Sequence, residues 1–349
     1  KPGGRVGIIL PNGYLGNRTI QYAALREWLL CQTKIVSIVG FPRFTFKKSG
    51  ADVSASVVVL ERRKRPLERS ADSSDYAFFA GTIESVGWRA GDKKAVPIYI
   101  RDPMTGVLVL DGANEPMLDA DFAAVVSEFL RSPSADCFPW TVGDRSIPAG
   151  PQTEGVDIEN VALLPDLNLD PKRHASKFRE TRKKIESLEH FSLGDVLELV
   201  PAKRGKIVAE KFYQYVDIEL VGVGEYDYIE LRGWQLPDRA KLKARSGDIF
   251  IAHIWSSAGK WFVASQDCDR LIVTNGCTQL RLRDGKQDYL PDLFIGLCSE
   301  AFCVQERALA TGSDGLAEII DEDMLSIVLP RVLSQPEKER AQRRIDQLF

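Results

Sequence analysis

The stretch Ser246 to Arg283, SGDIFIAHIWSSAGKWFVASQDCDRLIVTNGCTQLRLR, constrains this chain more than any other. Its short apolar or alternating runs are Ile249 to Trp255, Trp261 to Ala264, Arg270 to Val273 and Thr278 to Arg283. They are preceded or separated by Ser246-Gly247-Asp248, Ser256 to Gly259, Gln266 to Asp269 and Thr274-Asn275-Gly276. Gly, Ser, Asn and Asp thus punctuate β-rich runs at roughly 8–12-residue spacing, which predicts a compact β unit.

At 349 residues the chain is long enough for two or three domains and a sizeable core. Lys and Arg number 46 against 49 Asp and Glu, a net charge of −3, so any nucleic-acid surface must be a local patch. The cysteines Cys31, Cys137, Cys268, Cys277, Cys298 and Cys303 form no CxxC pair. The histidines His174, His190 and His253 do not cluster with them. That pattern predicts reduced thiols, a cytoplasmic location and no metal site. No signal peptide and no apolar run of membrane-spanning length is present, so no membrane partner is expected. The chain begins at Lys1 without a methionine and enters a strand almost at once, which reads as a fragment with native sequence upstream.

Arg5 to Leu10 is almost wholly apolar, as suits a strand buried on both faces of a parallel sheet. Pro11-Asn12-Gly13 breaks it, and the favoured reading is a strand-to-helix turn rather than a ligand loop. A helix is predicted from Asn17-Arg18-Thr19 to about Leu30, with Ile20, Ala23, Ala24, Leu25, Trp28 and Leu29 on its apolar stripe. Ile35 to Val39 and Ser54 to Leu60 are further strands, the latter ended by Arg62-Arg63-Lys64-Arg65, read as a solvated strand end. The order strand, helix, strand predicts an α/β unit with a crossover.

Ser132 to Pro171 is rich in Pro, Gly, Asp and Ser and reads as an extended connector, with Leu163-Leu164-Pro165 as a short strand or docked segment. Pro171 to Glu189 is a charged helix with a thin stripe of Phe178, Ile185 and Leu188. Lys172 to Lys211 holds eleven Lys and Arg against six Asp and Glu, a local charge of +5, read as a solvated helix or a phosphate-facing surface. A second charged helix is predicted from Pro336 to Phe349; the two helices would pair as a spacer, with Ile345 and Leu348 against Phe178, Ile185 or Leu188.

Two resemblances follow from these segments. Gly3 to Arg63, with GGRVGIILPNGYLG, LREWLL and IVSIVGFPRFTFKKSGADVSASVVVLERR, resembles the carboxyl-terminal part of N6-adenine DNA methyltransferases of restriction–modification systems. Glu84 to Lys93, a hairpin through Ile98 to Leu110, and Leu118 to Leu130 continue the likeness. The Gly-containing S-adenosylmethionine loop and the Asn-Pro-Pro-aromatic motif of that family lie nowhere in the sequence, and no Pro-Pro pair occurs. From Phe191, SLGDVLELVPAKRGK, YQYVDIELVGVGEYDYIEL, LPDRAKLKARSGDIFIAHIWSSAGKWFVAS and IVTNGCTQLRL resemble a target-recognition domain of the type I restriction specificity subunit. Leu309 to Ser313, the run Leu325 to Pro330 and the closing helix fit the same pattern.

The resemblances imply an α/β (α+β overall) chain in three parts. Residues 1–131 would be the end of a Rossmann-like methyltransferase sheet, 132–170 a connector, and 171–349 a β-rich target-recognition domain with flanking spacer helices. Such a chain would bind double-stranded DNA, with no cofactor of its own, while the intact enzyme would use S-adenosylmethionine. In such domains Lys and Arg on the rim fix register on phosphates, and Asn, Gln, Arg and Ser on loops read base edges. The candidates are Lys203, Arg204 and Lys206 in the basic loop; Trp255, Ser256, Ser257 and Lys260 in the first loop; Asn275 in the next turn; and Thr311 and Ser313 in the ATGS loop. The favoured reading of Trp255 is a core aromatic and of Asn275-Gly276 a hairpin turn, and Thr311-Gly312-Ser313 reads also as a simple turn. A half-sheet would expose an apolar edge, predicting dimerisation or disorder near Lys1 to Leu10, with a methyltransferase or restriction subunit as another partner. The rival reading is a non-catalytic specificity or docking subunit. A nuclease finds no acidic cluster with a lysine at suitable spacing.

Overall fold

The computed structural model describes residues 1–43, 45–46, 53–72, 77–89, 96–137, 154–157, 167–201, 206–265, 268–312, 317–331 and 334–345. The chain is mixed α/β, rich in strands, and divides into two compact units. The first holds Lys1–Ser176 with Thr311–Asp314, and the second holds Lys177–Ala310 with Gly315–Phe349.

The first unit is built on β1 (Arg5–Pro11), β2 (Thr33–Phe41), β3 (Ala55–Arg62), β4 (Ala77–Thr82) and β5 (Glu154–Asp157), in the order β1-β3-β2-β4-β5. Only β2 and β4 run parallel; β3 is antiparallel to both β1 and β2. One face carries α1 (Asn12–Gly16) and α2 (Ile20–Gln32), which close over Ile35, Ile38, Val58 and Phe78. α3 (Phe122–Arg131) follows a long exposed hairpin arm, and its Val125 joins Phe79, Ile83 and Val86 in a second cluster.

Several expectations change here. β1 is not buried in a parallel sheet: it is an antiparallel edge strand, with Val6, Ile8 and Ile9 42–52% exposed. The α2 stripe fails as well. Ile20 and Trp28 face solvent, while Arg26 is 1% exposed and donates to the carbonyls of Tyr14 at 3.2 Å and Asn17 at 2.7 Å. Burying that guanidinium closes the α1–α2 corner and turns the helix by a different face than the apolar residues specify. Arg63 is not a solvated strand end; its Nε donates to the Leu30 and Thr33 carbonyls, both at 3.0 Å. Asn12 is a structural turn residue as favoured, buried and accepting from Ser56 Oγ at 2.7 Å. The supposed connector contributes β5 to the sheet and a buried run from Leu167 to Asp170; Leu163-Leu164-Pro165 lies outside the described residues.

The second unit opens with α4 (Ser176–Glu186), whose Phe178 joins the core below. There follow β6 (His190–Ser192), α5 (Leu193–Val196), β7 (Leu197–Leu199), β8 (Phe212–Val216), β9 (Ile229–Arg232), β10 (Ala240–Lys243), β11 (Ile249–Ala252), β12 (Trp261–Val263), β13 (Leu271–Thr274) and β14 (Cys277–Leu282). The chain closes through α6 (Leu290–Leu297), α7 (Glu300–Leu309), α8 (Asp321–Leu325), β15 (Val328–Pro330) and α9 (Gln335–Ile345). Two four-stranded sheets result, β12-β11-β14-β7 and β10-β13-β8-β9, with β15 pairing β6 separately.

The period-2 alternation of the sequence assigns the layers. Phe250 and Phe262 stack at 4.9 Å between the sheets and meet Leu242, Leu271 and Val273. Ile249, Ile251 and Leu280 point the other way, onto Leu293, Leu297 and Phe302 of α6 and α7. α9 packs on α6, where Lys338 reaches the buried Asp292 at 3.1 Å. The spacer expectation rested on Ile345 and Leu348, whose side chains lie outside the described residues. Replacing Phe250, which is fully buried between the sheets, by Ala should lower unfolding free energy by about 3–5 kcal/mol, read from the urea midpoint.

Candidate nucleic-acid interface

The candidate surface lies on the second unit. β11 and β12 form an antiparallel hairpin whose loop, His253 to Lys260, contains a short 3-10 turn at Trp255–Ser257. Its backbone is tied down on three sides. Trp255 N–H donates to the Ala317 carbonyl at 2.9 Å, Lys260 N–H to Ser257 at 3.1 Å, and Gly259 N–H to the Glu306 carboxylate. Gly259 has φ +86°, and a Cβ there would stand 2.6 Å from Cys303 Sγ, so only glycine fits.

Glu306 is fully buried on α7, and desolvation pushes its carboxyl up to about 8, against the Gly259 hydrogen bond that favours the charged form. A neutral carboxyl through most of the physiological range therefore supports this loop. His253, at the loop's start, is held below its usual range by burial, and one ring nitrogen lies 3.2 Å from Thr278 Oγ1.

The expected contact residues separate by position. Ser256 is exposed and Lys260 half-buried, both in the loop, whereas Ser257 is buried and Trp255 packs half-buried on the helical core. Asn275 is exposed beside them, since His253 N–H donates to the Gly276 carbonyl at 3.1 Å. The Asn275-Gly276 turn is not a hairpin turn. It passes the chain from β13 in one sheet to β14 in the other, which pair with different strands. Lys206 is exposed but sits toward the opposite end of the sheet. β8 and β13 run parallel, so Phe212, near Lys206, is at the far end from Thr274 and Asn275, about 15 Å away at roughly 3.3 Å per residue. Thr311 is half-buried and groups with the first unit. Lys203, Arg204 and Ser313 lie outside the described residues.

The structure adds a feature that sequence reading passed over. β10 is an edge strand, and along Arg239 to Arg245 the residues alternate. Ala240, Leu242 and Ala244 are buried, while Arg239, Lys241, Lys243 and Arg245 are exposed. The row begins at the Asn275 turn, whose N–H donates to the Arg239 carbonyl at 2.8 Å. Arg239 stands 3.8 Å from Asp217; among the described residues Lys241, Lys243 and Arg245 have no ion-pair partner. The pattern R-A-K-L-K-A-R is the signal that would have found it.

The far end of this row is anchored by Asp248, which is fully buried. Its Oδ1 accepts from Arg281 Nη2 at 2.6 Å and Nε at 2.9 Å, and its Oδ2 accepts from Gln279 Nε2 at 2.7 Å and the Arg245 N–H at 2.9 Å. Gln279 also donates to the Lys243 carbonyl at 3.0 Å, so one carboxylate fixes the last turn of the cation row. No group of His, Cys, Asp and Glu suited to a metal occurs among the described residues. Likewise, no helix among them is long and apolar enough to cross a membrane.

No protein-family profile matches the chain, and no curated protein matches it. Among solved structures it is similar to the HsdS subunit from Thermoanaerobacter tengcongensis, at 22% identity and TM-score 0.35 over 46% of this chain and 41% of that one. The type IIG restriction endonuclease BpuSI is similar over 99% of this chain and 42% of its own, at 12% identity and TM-score 0.38. The type I restriction–modification S subunit from M. genitalium is similar over 65% and 64%, at 16% identity and TM-score 0.29. The chain thus spans about two fifths of the length of the first two. All three TM-scores lie below 0.5.

Two outcomes test the supports of this surface. Asp248→Ala takes the buried acceptor from the Gln279 amide and the Arg245 N–H and the partner from the partly exposed Arg281, and should cost about 2–3 kcal/mol in a denaturant titration. Glu306 has a folded value above its unfolded one, so its neutral form favours folding at low pH and that contribution is lost as pH rises from about 4.5 to about 8. Glu306→Gln should flatten the pH dependence of stability across that window, measured by thermal melting.

Proposed function

We propose that this chain is a sequence-reading module for duplex DNA. In this reading it works within an N6-adenine DNA methyltransferase of a restriction–modification or phage-defence system. The observation that carries DNA binding is the row of Arg239, Lys241, Lys243 and Arg245 on the β10 edge. Beyond the irregularity at Lys241, Lys243 and Arg245 stand two positions and about 7 Å apart, and Arg239 and Lys241 carry the exposed cations on around the strand toward the Asn275 turn. Phosphate contacts of this kind set register and carry no sequence information. Reading is assigned to the polar groups at the head of the row: the exposed Ser256 and Asn275 and the half-buried Lys260. An Asn amide matches the donor and acceptor of adenine in the major groove, and a Lys ammonium matches the guanine acceptors.

In the same reading the mixed sheet of the first unit is the end of a Rossmann-like methyltransferase sheet. Residues 1–131 supply that part and 171–349 the recognition domain, while 132–170, expected as a connector, adds β5 to the sheet of the first unit. Methyl transfer, with S-adenosylmethionine, belongs to parts of the enzyme that carry the motifs this sequence lacks. The exposed apolar edge of β1 supports a second reading: a specificity subunit that docks on a separate methyltransferase or restriction subunit, or on a second copy.

Fluorescence anisotropy against a pool of random duplexes, titrated across salt with sequencing of the bound fraction, separates these readings. A short enriched motif is expected, with log Kd depending steeply on log salt. Replacing all four β10 cations by Gln should lower that slope by about 3 to 4, near 0.9 for each phosphate no longer neutralised. An unchanged slope in a variant that stays monodisperse would remove the phosphate role of β10; absence of any binding at low salt favours the docking subunit.

A further inference from the structure

We propose that Trp234 is a base-stacking platform at the end of the β8–β9 sheet edge opposite Asn275. Its ligand class is an unpaired or unstacked nucleobase, with Lys211 and Arg232 on the adjoining phosphates. The proposal rests on the DNA reading above and gives it a second point of contact.

Trp234 lies in a short turn, Gly233–Gln235, immediately after β9. Its side chain is 64% exposed, the largest exposure of any tryptophan among the exposed large hydrophobics. The turn beneath it is rigidly mounted. Gly233 N–H donates to the Lys211 carbonyl at 2.9 Å and Trp234 N–H to the Ala209 carbonyl at 3.2 Å. Gln235 Oε1 accepts from the Arg232 N–H at 2.9 Å. A Cβ on Gly233 would stand 2.2 Å from the Val208 carbonyl oxygen, so the segment from Lys206 to Lys211 lies directly against the turn.

An indole this exposed on a backbone held by hydrogen bonds keeps most of its surface open to a ligand. Its flat face suits stacking, which every base offers irrespective of sequence. Cations stand beside the ring, together with the exposed apolar Val208 and Phe212. Lys206 and Lys211 are exposed, and the Arg232 guanidinium lies 5.1 Å over the half-exposed Phe212 ring. Glu210 takes Arg232 at 3.3 Å in an exposed pair, which a phosphate can replace. The crossing segment from Trp234 to Arg239 joins this platform to the cation row on the other sheet edge, about 20 Å away by strand spacing and rise. That span is shorter than one helical turn of duplex, about 34 Å.

The test compares the chain with its Trp234→Ala and Trp234→Phe variants, using anisotropy on a perfect duplex and on the same duplex carrying one bulged adenine. The original chain should hold the bulged duplex about tenfold tighter, the scale of one base–aromatic stack. Trp234→Ala should erase that preference with an unchanged salt slope, because no charge is removed, and Trp234→Phe should keep most of it. Melting curves of the variants should coincide, since the ring is exposed. If Trp234→Ala binds both duplexes as the original chain does, the platform is overturned while DNA binding stands. No bulge preference in the original chain overturns it too. If the original chain binds neither duplex at low salt, the DNA reading fails and the platform with it.

Discussion

The buried Asp248 carboxylate is the contact on which the second unit depends. It receives Arg281 and Gln279 from β14 of one sheet and the Arg245 N–H at the end of β10 of the other. The two sheets otherwise meet through apolar faces such as Phe250, Phe262, Leu271 and Val273, which are non-directional and would tolerate sliding. A charge-assisted fork removes that freedom and fixes where the β10 cations stand relative to the β11–β12 loop and the Asn275 turn. The cost of breaking it falls on the Gln279 amide and the Arg245 N–H as well as on the partly exposed guanidinium.

The strands of the second unit are legible in the sequence because alternation survives in them. Ile249, Phe250 and Ile251 point alternately to the helices and to the partner sheet, and the turns fall where Gly, Asn and Ser break the run. The first unit is less legible. An apolar run such as Arg5 to Pro11 reads as a buried strand, yet its place at the sheet edge is decided by which strands pair, and pairing is not local. The α2 stripe fails for a similar reason. Arg26 can be buried only because the Tyr14 and Asn17 carbonyls converge on it, and nothing in the helix sequence announces that.

The candidate interface is legible in part. The loop Trp255 to Lys260 and the turn at Asn275 do come together, although the turn changes sheet instead of closing a hairpin. Trp255 is recognisable as a packed aromatic from its strand-end position, whereas Trp234 stands in a less patterned stretch that gives no such signal. The β10 cations hide inside a longer run of charged and apolar residues, and only their period of two betrays the row. The distance between Lys206 and Asn275 is invisible without the parallel pairing of β8 and β13.

β10 is irregular between Ala240 and Leu242, where two residues advance against one step from Thr274 to Val273 on β13. Lys241 is the additional residue. A bulge of this kind breaks the even ladder that an incoming strand must match and strengthens the local twist. The cation-bearing edge is therefore a poor template for β-augmentation by another polypeptide. The irregularity and the line of charge thus act together, within the register of a single strand, to keep that edge from extending another sheet.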